Sequence, residues 1–181
     1  MYIETERLVI REWKKSDYKD LYEYAKSDLV GPNAGWKSHK SEEESKGVMD
    51  RFIKEKEDYA IVLKTENKVI GGCGLHYKLP DESLMDLNQR EIGYVLNPTY
   101  WGKGYAPEVV DALINYGFNN LFLDLIWCAH FNFNNKSKRV IEKCNFNYRF
   151  TRKEKLNLLD NTEVNVVYYN IYKEEYLNNK I

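Results

Sequence analysis

Between Thr5 and Trp13 an apolar run, Leu8-Val9-Ile10, stands among charges and predicts a first strand of about six residues. Asp17 then opens a stretch in which Tyr18, Leu21, Tyr22 and Ala25 recur at i, i+3, i+4 and i+7, so one helical stripe faces a sheet. Gly31 to Lys40, GPNAGWKSHK, is loop by composition. Ser41 with Glu44 three residues later forms a capping box for a second helix that turns Val48, Met49, Phe52 and Ile53 inward. Strands follow over Tyr59 to Lys64 and Val69 to Tyr77, joined by a hairpin at residues 65–68. Gly71, Gly72 and Gly74 weaken the second of these unless a bulge, tight packing or a ligand brings another group close.

Residues 78–89 are polar and read as an exposed loop. The strand Glu91 to Leu96 comes next, then a glycine-containing loop and a helix from about Pro107 to Leu121 that buries Val109, Val110, Leu113, Ile114 and Phe118. With the apolar strand Leu125 to Phe131 this makes a right-handed βαβ unit, two parallel strands joined by a helix. After a loop at 132–135, Ser137 to Cys144 is a short helix with Val140 and Ile141 inward. Alternation in Phe146, Tyr148, Phe150 and in Val164, Val166, Tyr168 around Asp160-Asn161 predicts a long antiparallel hairpin. The fold class is therefore α/β (α+β): one domain over residues 1–181, with a mixed, mostly antiparallel central sheet and one parallel step at its centre.

Composition narrows the partners. The chain has 181 residues, 43% hydrophobic and 30% charged, enough for a real core in one domain. A net charge of -1 argues against nucleic acid or an anionic membrane as partner, so any anion site is local. Cys73, Cys128 and Cys144 form no CxxC pair, which suggests neither a disulfide framework nor a metal site. Charges throughout the first twenty residues and the lack of an apolar run of roughly 18 residues point to a cytoplasmic protein.

The chemistry concentrates in REIGYVLNPTYWGKGYAPE, Arg90 to Glu108: a strand, a glycine loop and a helix start. Gly102 and Gly104 let the backbone approach a ligand closely, and the helix behind them aims its unpaired N–H groups and positive dipole end at the loop. Such a cradle invites a phosphate. A nucleoside-triphosphate enzyme is disfavoured because GxxxxGK[ST] is missing.

In order and spacing, TERLVIREW (Thr5 to Trp13), the Trp36 and His39 loop leading into SEEE, GGCGLHY (Gly71 to Tyr77), EIGYVLNPTYWGKGYAPE and NNKSKRVIEKCNF (Asn134 to Phe146) resemble the GNAT superfamily of acetyltransferases, and within it the RimJ/RimL type. The resemblance covers nearly the whole chain. It implies acetyl-coenzyme A as acyl donor, with the pyrophosphate on the N–H groups of Gly102, Lys103, Gly104, Tyr105 and Ala106. It departs from the family in having Trp101 at the loop start, where glutamine or arginine is common, and Pro107, which has no N–H to give. The pantetheine arm is expected along Tyr94, Val95 and Leu96, where the parallel strands part, with an oxyanion donor near Val95.

Asn134 is either a turn residue or a contact to that arm, and Ser137 either a helix cap or the donor to the departing thiolate. The tyrosine that many relatives carry four residues after that serine is Ile141 here. Lys136, Lys138 and Arg139 are a solvated face or serve the ribose phosphate. Deprotonating an amine acceptor needs a base, for which Glu91 is the first candidate and His76 the second. Glu91 can equally be an exposed strand-end carboxylate. Trp36 and His39 border the acceptor, and His130 packs structurally. The expected partner is an amine, a small molecule or a protein N-terminus, with a homodimer as a further option. The competing reading is an acyl-coenzyme A binding or sensor module without transfer chemistry.

Overall fold

The computed structural model describes residues 1–178. In chain order the elements are β1 (Ile3–Glu4), β2 (Leu8–Arg11), α1 (Tyr18–Ala25), α2 (Gly31–Ala34), α3 (Glu42–Glu55), β3 (Asp58–Leu63), β4 (Lys68–His76), β5 (Gln89–Leu96), α4 (Tyr105–Asn119), β6 (Leu125–Phe131), α5 (Asn135–Lys143), β7 (Asn147–Leu156), β8 (Thr162–Tyr172) and α6 (Lys173–Asn178). The strands form one eight-stranded sheet in the order β1-β2-β3-β4-β5-β6-β8-β7. Its parallel pair is β5 with β6, because α4 carries the chain across the sheet between them.

Alternation along the strands gives each face its own core. Ile10, Ile61, Ile70, Ile92, Ile126 and Ile171 meet the apolar stripe of α4 (Val109, Val110, Leu113, Ile114, Phe118) and Ile141 of α5. On the opposite face Ala60, Val62 and Val69 pack against Trp13, Leu21 and Tyr24, with Met49 of α3 closing the layer. Trp127 and Tyr168 form a separate cluster on which Leu84 and Leu87 sit. The segment before β5 is thus a partly packed cover, and Gln89 belongs to the strand, accepting the Trp127 indole N–H at 2.7 Å.

Several boundaries differ from those expected. The first strand stops at Arg11, and Trp13 turns under α3 with its ring 5.7 Å from Phe52. Gly31 to Ala34, expected as loop, is one helical turn: Pro32 suits the first turn and Gly35, at φ 92°, ends it in the left-handed region. Helix α4 begins at Tyr105, two residues before Pro107, since Gly104 at φ 81° serves as its N-cap. Helix α5 begins at Asn135 because Asn134, not Ser137, is the cap: its Oδ1 accepts the Ser137 N–H at 3.1 Å.

The three strand glycines are explained by packing. A Cβ on Gly72 would lie 3.2 Å from the Trp13 ring, and one on Gly71 or on Gly74 would overlap a backbone carbonyl oxygen, that of Val95 or of Glu57. A register shift between Ile61 and Val62 marks a bulge in the same β3–β4 pair. Among the described residues, no helix is long and apolar enough to cross a membrane.

Candidate active site

Pairing between β5 and β6 runs from Gln89 opposite Leu125 to Ile92 opposite Cys128 and stops, although β5 continues to Leu96 and β6 to Phe131. Each strand stays tied to its outer neighbour: β5 to β4 as far as Leu96, β6 to β8 as far as Phe131. The two parallel strands therefore part beyond Ile92. The Asn97 N–H bonds to Ile70 O at 2.8 Å, and the two-residue alternation of the ladder then turns the backbone groups of Val95 toward β4 and those of Tyr94 and Leu96 toward the gap. Of the three residues expected along the pantetheine arm, Tyr94 and Leu96 turn backbone groups into the gap, and those of Val95 face β4. The Leu96 carbonyl accepts the Trp101 indole N–H at 2.9 Å, leaving the Tyr94 pair and the Leu96 N–H without a ladder partner.

Across the gap, Ser137 Oγ lies 3.0 Å from Tyr94 Oη, and burial raises the Tyr94 pKa, so the phenol stays protonated. Because Asn134 caps α5, the Ser137 hydroxyl is not used as a helix cap. Asn134 Nδ2 in turn donates to Asn33 O at 3.3 Å, which fastens α2 to the end of β6. Lys136 Nζ stands 3.7 Å from the Trp101 ring centroid and spans the gap from the other side.

The glycine loop leads into α4 as expected, with Gly102 at φ 77° and Gly104 at φ 81°. A Cβ on Gly102 would meet nothing within 4 Å, so the loop's outer surface is open. What holds the loop is Arg7. Its Nε donates to Glu108 Oε2 at 2.6 Å, its Nη1 to the Lys103 carbonyl at 2.9 Å, and its guanidinium lies over the Tyr105 ring at 4.5 Å. Glu108 also accepts the Thr5 hydroxyl at 2.5 Å and the Arg7 N–H at 2.9 Å. Burial pushes the Glu108 carboxyl up, but the Thr5 and Arg7 hydrogen bonds outweigh it and hold the group below its usual value. Sequence reasoning missed this clamp, since nothing local signals an ion pair between residues about a hundred positions apart.

On the opposite face of the sheet, Glu91 and His76 stand directly across from each other on β5 and β4. The Glu91 side chain is 14% exposed; Oε1 receives Lys78 Nζ at 2.9 Å, while Oε2 is buried with no hydrogen-bond partner among the described residues. Glu91 is therefore not an exposed strand end. His76 Nε2 is 3.0 Å from Asp58 Oδ1, and this hydrogen bond raises the histidine pKa against the opposing pull of burial.

His39 is buried, with Nδ1 2.7 Å from Ser45 Oγ, and burial lowers its pKa. Its ring lies 5.3 Å from that of Trp36, so it supports Trp36 from behind. His130 is buried, Nδ1 at 2.8 Å from Phe131 O. Cys73, Cys128 and Cys144 are buried and burial raises each thiol's pKa, so none is an activated nucleophile.

Residues 7–147 match the family model described as Acetyltransferase (GNAT) domain. The chain is 33% identical over 147 residues to an uncharacterized N-acetyltransferase, YnaD, of Bacillus subtilis (strain 168), covering 79% of this chain and 81% of that protein. Among solved structures, the acetyltransferase (GNAT family) from Bacillus anthracis superposes with a TM-score of 0.85 at 28% identity, over 97% of this chain and all of that one. Spermidine N-acetyltransferase from Vibrio cholerae, in complex with CoA and spermine, shares the fold at a TM-score of 0.76 and 17% identity, over 96% of this chain and 99% of that one.

Proposed function

The chain belongs to the acetyltransferase (GNAT) family, and from that premise we propose that it transfers acetyl from acetyl-coenzyme A to a primary amine, in the manner of the RimJ/RimL type, by direct attack in a ternary complex. The thioester supplies the activated acetyl group. The parted strands and the open glycine loop fit such a donor: the Tyr94 backbone pair and the Leu96 N–H suit the amides of a pantetheine arm, and the α4 N-terminus suits a pyrophosphate. Each charge-assisted hydrogen bond there contributes about 1.5 to 3 kcal/mol, so a few N–H groups suffice to hold the anion. Lys136, already across the gap on Trp101, would add a cation.

The observation that carries the amine acceptor is the unpartnered, buried Oε2 of Glu91, one residue before the point where β5 leaves β6. A buried carboxylate oxygen without a donor is costly, and an ammonium group at the thioester would satisfy it. Glu91 then takes the proton that frees the nitrogen lone pair. Ser137, with its hydroxyl held by Tyr94, donates a hydrogen bond to the departing thiolate. Trp36 bounds the acceptor side.

A thiol-release screen of small amines and N-terminal peptides tests this. At least one amine is expected to release thiol, and Glu91→Gln is expected to lower kcat roughly 10²-fold with the KM for acetyl-coenzyme A little changed. Acetyl-coenzyme A binding with no release against any amine would leave a binding module instead.

A further inference from the structure

His76 occupies a place made for it. On β4 and β5, Gly74 and Gly93 are directly paired, and the imidazole lies over both: a Cβ on Gly74 would come 2.6 Å from Nε2, and one on Gly93 would come 3.0 Å from Cε1 and 3.1 Å from Nδ1. The ring is thus laid back along the sheet, Nε2 toward β3 and Nδ1 toward β5. On β3 the residue opposite Gly74 is Asp58, whose Oδ1 meets Nε2 at 3.0 Å. An ionised carboxylate only accepts, so Nε2 carries a hydrogen, and in the neutral ring Nδ1 keeps its lone pair, directed at Gly93. Gly93 is the first residue of β5 beyond the last β6 pair, and Glu91 is directly across from His76, where facing Cβ atoms stand about 4.5 to 5.5 Å apart.

We propose that Asp58 and His76 form a proton-accepting dyad that serves Glu91, an assignment that rests on the acetyl-transfer reading above. The acceptor enters as an ammonium ion and gives one proton to Glu91, which relays it to the Nδ1 lone pair of the facing His76. The freed lone pair forms the C–N bond, and the C–S electron pair leaves on sulfur. The nitrogen's second surplus proton neutralises the thiolate. One proton per turnover therefore stays on the imidazole until solvent removes it. Asp58 is a positioning residue: it sets the tautomer and stabilises the imidazolium.

The charged groups facing the ring agree with this role. Asp58 and Glu57 approach from the β3 side and Glu91 from β5, and each raises the pKa of His76, Asp58 most strongly. The nearby cation, Lys78, is engaged by Glu91.

The test is the pH profile of kcat/KM in the full chain with an amine from the screen. The active form has neutral His76, so activity rises with pH through the histidine pKa. Asp58→Asn keeps a hydrogen-bond acceptor but loses the charge: the acid limb is expected to move to lower pH and the plateau to fall about tenfold, with Asp58→Glu moving both back toward wild type. His76→Gln is expected to abolish that limb and lower kcat about 10²-fold, with the KM for acetyl-coenzyme A unchanged. A limb that stays in place in a folded Asp58→Asn protein, while the wild type transfers acetyl, would overturn the dyad alone. A wild type that transfers to no amine would overturn the acetyl-transfer reading and the dyad with it.

Discussion

Replacing Arg7 by methionine keeps most of the apolar stem and removes the guanidinium's contacts to Glu108 and to the glycine loop, while the Thr5 hydroxyl and the residue-7 backbone N–H still reach Glu108. The guanidinium binds Glu108 through Nε and Nη2 at 2.6 Å each, and the Lys103 carbonyl at 2.9 Å. Exposed ion pairs contribute about 0.2 to 1 kcal/mol, and breaking a buried pair costs about 3 to 5 kcal/mol. With Arg7 40% exposed and Glu108 16% exposed, the loss falls between these limits, at about 2 kcal/mol. A chain of this size loses about 2 to 4 °C per kcal/mol, so Tm is expected to drop by about 4 to 8 °C.

The functional effect is separate. Freed of its carbonyl anchor, the loop samples conformations that no longer present the α4 N-terminus. The KM for acetyl-coenzyme A in thiol-release assays is expected to rise about tenfold, equivalent to about 1.4 kcal/mol, with kcat within about twofold. The pH dependence has a defined sign. The Glu108 pKa is depressed below 4.5, so its stabilisation is complete above that value and is lost as pH falls through the folded-state pKa. The Tm difference between wild type and Arg7→Met should therefore narrow below about pH 4.5. A lower Tm with an unchanged KM would show that the clamp supports the fold without shaping the loop.

Two further outcomes are expected. Ser137→Ala removes the partner of the part-buried Tyr94 hydroxyl, costing about 0.5 to 1.5 kcal/mol in denaturant titration, and the double change with Tyr94→Phe should cost less than the sum of the single ones; additive losses would refute the pairing. Gly71→Ala drives a methyl into the Val95 carbonyl oxygen, a backbone atom that cannot swing aside, so a loss of about 3 kcal/mol is expected, whereas a loss under about 1 kcal/mol would contradict the close approach of β4 and β5.

Some of the molecule was legible because its signals are local. The Ser41 capping box, the α4 stripe from Val109 to Phe118 and the alternating Val164, Val166 and Tyr168 each lie within one element, and periodicity alone placed them. The glycine loop was readable for the same reason. Boundaries were misread where a cap decided them: Asn134 accepts the Ser137 N–H and starts α5 two residues early, a geometric choice between two residues that both cap well.

By itself, then, the sequence determined the mixed α/β class, the central parallel step and the glycine loop that leads into α4, because helical and strand periods and left-handed glycines are properties of short stretches of chain. Tertiary structure alone decided the rest. Only the register shows the strands parting after Ile92, turning Tyr94 and Leu96 to the gap and Val95 away from it. Only packing brings Arg7 to Glu108, Tyr94 to Ser137 and Asp58 to His76. Those contacts join residues from 18 to 101 positions apart, and charge complementarity over such separations leaves no periodic trace in the chain; the fold sets the distances on which the interactions depend.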